Sequence, residues 1–199
     1  MEIAAPARPP RILQIYRERL KPGAEAAYRS IEEETARAAV ELGCPHPYLA
    51  AEPLGGPKEV WWFNGFDSTE DRSRVSDDYA RNMPWTAALD RNSKRKASLT
   101  LSPIETVARY RGDLSGGPPW TLGDGRFLLV TLTKEDRRIA GTVFEAPDGM
   151  RFVVTSGRTR AEAAAARGRA GSDSYVLAVQ PSLSFPAKEW IESDPFFWQ

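Results

Sequence analysis

The run Glu59-Val60-Trp61-Trp62-Phe63-Asn64-Gly65-Phe66 constrains this chain more than any other segment. Its β-branched and aromatic residues favour a strand, and successive side chains of a strand point to opposite faces. Trp62 and Asn64 therefore share one face, and Trp61 and Phe63 share the other. Aromatic rings on both faces call for burial on both, with helices against one side and a barrel interior or second sheet against the other. An asparagine on such a face needs a hydrogen-bond partner from protein, water or a ligand.

The segments around this strand supply the rest of a compact unit. Arg11 to Leu20 (RILQIYRERL) roughly alternates apolar and polar residues and reads as a strand, and Lys21-Pro22-Gly23 turns the chain. From Ala24 to Leu42 the residues Ala24, Ala27, Tyr28, Ile31, Thr35, Ala38, Ala39 and Leu42 recur at helical spacing. Gly43 suits a left-handed helix end, and Pro45 and Pro47 stop the helix. Tyr48 to Pro53 and Glu59 to Phe66 form a hairpin across Gly55-Gly56-Pro57. Ser68 and Asp71 fit a capping box for a helix over 69–89, which Pro84 should kink or break. A basic stretch, Arg91 to Lys96, then leads to a strand over 104–111. The order is βαββαβ.

Residues 112–125 (GDLSGGPPWTLGDG) hold five glycines and two prolines, a composition that predicts no core element. Strands are expected at 126–133, 142–146, 151–156 and 174–180, with a short helical segment at 135–139 and an alanine-rich helix over 159–169. Asp148-Gly149 reads as a type I′ hairpin turn. The hairpin, helix and strand of 142–180 echo the plan of 48–111. The expected organisation is a flexible tail at 1–10, a ferredoxin-like domain at 11–112, a linker at 113–125, and a second, shortened α+β half at 126–199. Trp190, Phe196, Phe197 and Trp198 are too aromatic for a loose end and should anchor it.

Charge and cysteine usage narrow the function classes. The 27 basic residues balance 27 acidic ones, so no global field draws nucleic acid or an anionic membrane. One cysteine, Cys44, makes no internal disulfide, and no stretch of about 20 apolar residues is present, so a cytoplasmic location is expected. Phosphate-binding glycine loops and a nucleophile elbow are absent from the sequence.

The passage RILQIYRERLKPGAEAAYRSIEEE, in which a strand enters Lys21-Pro22-Gly23 and an acidic amphipathic helix follows, resembles the dimeric α/β-barrel superfamily of ferredoxin-like domains. Antibiotic-biosynthesis-monooxygenase-like and NIPSNAP-like proteins belong to it, as do haem enzymes that ligate iron through a histidine. The resemblance covers about residues 11–112. It implies an α+β fold with a four-stranded antiparallel sheet, two helices on one face, and pairing with a second sheet into a barrel, commonly in a homodimer. Cofactor-free oxygenases of the superfamily line their pockets with Asn, Trp, Tyr and His, which here are Asn64, Trp62, Tyr79 and His46.

The candidate ligand-binding residues are therefore His46, Trp62, Asn64, Tyr79 and Trp85. His46 is the only imidazole and the only ordinary side chain that titrates near neutral pH. One His and one Cys do not make a metal site, so no metal and no cofactor are expected. Glu32, Glu33 and Glu34 diverge on a helix and read as a solvated face, and Arg91, Lys94, Arg95 and Lys96 read as a solvated helix end. The expected function is small-molecule binding, with a cofactor-free oxidation of an aromatic or polyketide-like compound as the implied activity. The alternative is a non-catalytic scaffold whose barrel is filled by its own aromatics.

Overall fold

The computed structural model of the protein describes residues 8–167 and 173–198. Its elements run β1 (Ile12–Arg19), α1 (Glu25–Glu41), β2 (Leu49–Pro53), β3 (Glu59–Phe66), α2 (Thr69–Arg81), α3 (Met83–Lys96) and β4 (Ile104–Tyr110). Then follow β5 (Ser115–Gly116), β6 (Phe127–Thr133), β7 (Ile139–Ala140), β8 (Thr142–Glu145), β9 (Arg151–Gly157), α4 (Arg160–Arg167), β10 (Ser174–Val179), α5 (Lys188–Ser193) and α6 (Pro195–Trp198).

The strands close a single antiparallel barrel in the order β1-β3-β2-β10-β6-β9-β8-β4, with β5 and β7 as a separate parallel pair. Within it the first half runs β4-β1-β3-β2. The second half runs β10-β6-β9-β8, the same order when β6, β8, β9 and β10 are taken as its first to fourth strands. Two seams join the halves: Ala51 lies opposite Val179 where β2 meets β10, and Arg109 lies opposite Glu145 where β4 meets β8. The barrel is thus α+β in class and closed by one chain.

Alternation sorts every strand into inside and outside. Leu13, Ile15, Trp61, Phe63, Leu128, Val130, Phe144, Val154 and Leu177 fill the interior. At one end Arg17 and Arg19 bracket Glu59, whose carboxylate also accepts from the Trp61 Nε1 at 3.0 Å, and the Arg17 guanidinium lies 4.1 Å over the Trp61 ring. Trp62, on the opposite side of β3, joins Tyr28, Tyr48 and Trp85 in a second core beneath the helices.

Local chemistry explains the helix limits. Gly43, at φ 66, ends α1, and the Cys44 amide reaches back to the Ala39 carbonyl at 2.8 Å. The Ser68 hydroxyl accepts from the Asp71 amide at 3.0 Å, while the Asp71 carboxylate accepts from the Asp67 amide, one residue earlier than in the standard box. The helix expected over 69–89 breaks at Asn82. The Asn82 side chain donates to the Leu42 and Gly43 carbonyls, both at 2.8 Å, and accepts from the Trp85 amide, which ties the start of α3 to the end of α1.

Four expectations are corrected. The 113–125 segment does contribute to the core: Trp120 is 2% exposed and packs against Phe63 and Phe144 at the barrel centre. Its amide donates to the Thr142 hydroxyl, so glycine-rich backbone on both sides carries one large ring inward. No helix forms at 135–139; Ile139 and Ala140 pair with β5 instead. The Asp148-Gly149 turn is not type I′, because only Gly149 has positive φ (78°). The Gly149 amide bonds the Ala146 carbonyl, a turn that Pro147 favours by presetting its own φ. Lastly, Phe196 is 93% exposed, whereas Trp198 is buried and Trp190 and Phe197 pack against the core.

Pro10, at the end of the expected tail, is buried against Gly65, where an added Cβ would come within 3.0 Å of it. Residues 1–7 lie outside the described residues, as does the expected helix beyond Arg167. Gly123 has φ 93° and meets the Trp190 ring so closely that an added Cβ would lie 2.3 Å from it, which requires glycine there.

Trp120→Ala should lower the unfolding free energy by about 3 to 5 kcal/mol, the usual cost of emptying a buried tryptophan site. Phe196→Ala should stay within about 0.5 kcal/mol, as surface changes do. Urea titrations of the two variants at matched protein concentration check both.

Candidate functional site

The barrel interior is packed with apolar side chains, and two cavities lie on its outer face. On β1 the outward positions are Gln14, Tyr16 and Glu18, and on β3 they are Trp62 and Asn64. The antiparallel register sets Gln14 opposite Asn64 and Tyr16 opposite Trp62. Helices α1, α2 and α3 span this face and leave a cleft of about 670 Å³ whose walls include Trp62, Asn64, Tyr79 and Trp85. His46 does not line it. It faces an adjoining cavity of about 520 Å³ that shares Gln14, Asn64 and Tyr79 with the first. Asn64 therefore stands at the junction, with no hydrogen bond from its side-chain amide among the described residues.

The floor of the main cleft is ionic, which the sequence reading missed. Glu32 is 3% exposed, not solvated, and Lys96 is drawn in from the basic helix end. The Lys96 ammonium lies 2.9 Å from Glu18 and 2.5 Å from Glu32. Glu18 Oε2 also accepts from the Tyr28 hydroxyl at 2.5 Å and the Trp62 Nε1 at 3.1 Å. Glu18 thus receives three donors. Among the described residues Glu32 takes Lys96 as its direct donor, with the Tyr28 hydroxyl close enough to lower its carboxyl.

Two carboxyl groups face one ammonium here. Burial pushes the Glu32 carboxyl above the usual carboxylate range, and Lys96 counters this only in part. For Lys96 itself burial acts to depress the ammonium, but attraction to Glu32 and Glu18 outweighs it and holds the group charged. A lysine so held is no amine nucleophile. The signals were present in the sequence: Glu32 stands four residues after Tyr28 on the buried helix face, and Glu18 shares strand parity with Tyr16.

Tyr48 and His46 bring unpaired polar atoms to the two cavities. The Tyr48 hydroxyl is buried without a partner, and burial raises it well above the usual phenol range. The His46 ring stacks on Phe66 at 4.7 Å with an interplanar angle of 6°, one nitrogen turned to the Gly65 carbonyl and Nε2 buried without a partner. With the proton on the other nitrogen, Nε2 offers a lone pair. Burial is the main cause that lowers the imidazole from its ordinary value of 6.5 and favours the neutral ring.

Cys44 does not pair with this imidazole. Its sulfur lies 3.3 Å from the His46 carbonyl oxygen and 3.3 Å from the Tyr79 hydroxyl, and burial pushes the thiol up. No group of three or more His, Cys, Asp or Glu able to hold a metal occurs among the described residues. The His46 cavity mixes polar side chains from Gln14, Asn64, Arg72, Ser73 and Ser76 with Phe66 and Val75. No helix among the described residues is long and apolar enough to cross a membrane.

Comparison with solved structures bears on the fold. A candidate monooxygenase from Fusobacterium nucleatum superposes with a TM-score of 0.52 at 10% identity, over 86% of this chain and 93% of that one, so the likeness runs through both halves. The two proteins share a fold of ferredoxin-like α+β type, which in this chain closes as one barrel. A NIPSNAP family protein from Agrobacterium tumefaciens is similar over 56% of this chain and 94% of its own, at 21% identity and a TM-score of 0.41. A candidate monooxygenase from Lactobacillus acidophilus is similar over 84% of this chain and 93% of its own, at 8% identity and a TM-score of 0.47. No protein-family model matches the sequence, and no curated protein matches it.

Lys96→Met should cost about 3 to 5 kcal/mol by leaving two buried carboxyl groups without their cation, while Glu32→Gln should cost under about 1 kcal/mol because Glu18 and Lys96 then balance. Chemical denaturation of both variants reads the difference. A second expectation concerns pH. The lowered His46 pKa means that the unfolded chain takes up its proton first, so its contribution to stability is complete above 6.5 and is lost as pH falls through the folded value. Imidazole resonances followed by NMR should therefore titrate below 6.5.

Proposed function

We propose that this chain is a cytoplasmic small-molecule-binding protein whose ligand, an aromatic or polyketide-like compound, occupies the cleft between the β1/β3 face and helices α1 to α3. The observation that carries the reading is the cleft itself: about 670 Å³, with aromatic walls from Trp62, Tyr79 and Trp85 above a buried ionic floor. That combination of apolar walls and few convergent polar groups is the usual character of a ligand site. The adjoining cavity extends the space toward His46, so an elongated ring system fits both. The activity implied by the resemblance to cofactor-free oxygenases is an oxidation with dioxygen as the oxidant, and in this reading His46 Nε2 takes the proton that the ligand gives up before it reacts. The homodimer of the resemblance has no part in closing this barrel, which one chain completes.

A second reading is favoured by the barrel interior, where Trp61, Phe63, Trp120 and Phe144 leave a self-filled core. In that reading the chain is a non-catalytic scaffold and the outer cleft is idle. Native mass spectrometry separates the two. The purified chain should carry, or take up from a panel of polycyclic phenols and ketones, a small organic adduct that Asn64→Trp excludes by filling the junction of the two cavities. Bare masses throughout, with Asn64→Trp indistinguishable from the parent, would support the scaffold reading.

A further inference from the structure

The cleft floor gives the ligand a more definite chemistry, on the assumption that the cleft is a binding site as proposed above. Glu18 is already satisfied by three donors, from Lys96, Tyr28 and Trp62. Its charge and that of Lys96 cancel. Glu32 is left as the surplus carboxyl, in a site too buried to leave a carboxylate uncompensated. The groups facing it are Glu18 and Tyr16 from β1, Tyr28 from its own helix, Tyr48 from the start of the hairpin, and Lys96 from α3. Lys96 is the only cation in that set, so the balance is completed by a proton on Glu32 or by a cation on the ligand.

Tyr48 decides between them. Its side chain lines the same cleft, and its hydroxyl, buried and within electrostatic range of Glu32, has no acceptor among the described residues. A hydroxyl without an acceptor and a carboxylic acid with a proton to give are both donors. An ammonium ligand would be repelled by the Lys96 ammonium, which already lies 5.6 Å from the Tyr28 ring centroid and 5.7 Å from the Trp62 ring centroid.

We propose that the cleft takes an uncharged ring compound by a carbonyl or quinone oxygen, which accepts from the Glu32 carboxyl proton and the Tyr48 hydroxyl. The acid that holds the oxygen is also placed to protonate it as negative charge develops there, which makes Glu32 the acid partner of a base acting from the His46 side.

Three probes of one shape test this: 1-acetonaphthone carries the acceptor oxygen, 1-ethylnaphthalene lacks it, and 1-(1-naphthyl)ethylammonium replaces it with a cation. By isothermal titration to the full chain at neutral pH, the ketone should bind about tenfold more tightly than the hydrocarbon, the effect of roughly one hydrogen bond. Glu32→Gln keeps a donor and should keep the preference, while Tyr48→Phe and Glu32→Ala should each erode it. Infrared difference spectra should show a protonated carboxyl band in the parent that Glu32→Gln removes, a readout that needs no ligand. Equal binding of ketone and hydrocarbon, tightest binding of the ammonium, or no such band would overturn this inference and leave the cleft as a binding site. Failure of all three probes to bind would overturn the ring-binding reading as well.

Discussion

The constraint on which the rest depends is barrel closure within one chain. An open four-stranded sheet from residues 11–112 would expose two edges, β4 and β2, and a face bearing Trp61 and Phe63. The second half covers both edges and that face at once, because its strands repeat the same spatial order and meet the first half in antiparallel seams at β2/β10 and β4/β8. The β4/β8 seam is short, and ion pairs reinforce it: Glu145 receives Arg111 at 2.8 Å and Arg151 at 2.6 Å. Covering an edge removes unpaired backbone groups that would otherwise recruit another strand.

Closure then dictates where chemistry can occur. With Trp120 inserted between Phe63 and Phe144, the interior holds rings against rings. The outer faces differ between the halves. Residues 25–96 lay three helices over β1 and β3, and these stand far enough from the sheet to leave the cleft. Over the second half one helix, α4, packs against β6, β9 and β10 with its Ala163 buried. The pseudo-symmetry of the strands is therefore not a symmetry of sites.

Much of this was legible in the sequence for a simple reason. Two-residue alternation needs only local information, so Trp62 and Asn64 could be assigned to one face and Trp61 and Phe63 to the other, and the outward face could be matched to the helices that follow. Tyr79 and Trp85 could be placed near them because the helix after Phe66 returns over its own strand. What escaped was long-range and polar. Glu32 and Lys96 are 64 residues apart, and each resembles a surface residue when read with its immediate neighbours; only their convergence on Glu18 makes burial tolerable. Trp120 escaped similarly, since its glycine- and proline-rich surroundings describe a loop and say nothing of where the loop's one ring points. The turn at 146–149 was misassigned because Asp-Gly was weighed without Pro147 before it.

The buried Glu18–Lys96–Glu32 cluster also says something about what the cleft is for. Ion pairs taken out of water often contribute less to stability than apolar groups of the same size would. The surrounding residues, Tyr28, Trp62, Trp85 and Leu89, could have been joined by three more apolar side chains to close the gap between helices and sheet. Instead β1, α1 and α3 each send one ionisable group to the same point, next to a phenol left without an acceptor. A purely structural cleft would be under no requirement to hold either feature, and the same fold shows at its other end how Glu59 is satisfied when structure alone is at issue: Arg17, Arg19 and the Trp61 indole all converge on it. The contrast between a saturated carboxylate at the barrel end and a surplus carboxyl at the cleft floor is the physical ground for assigning binding to the second.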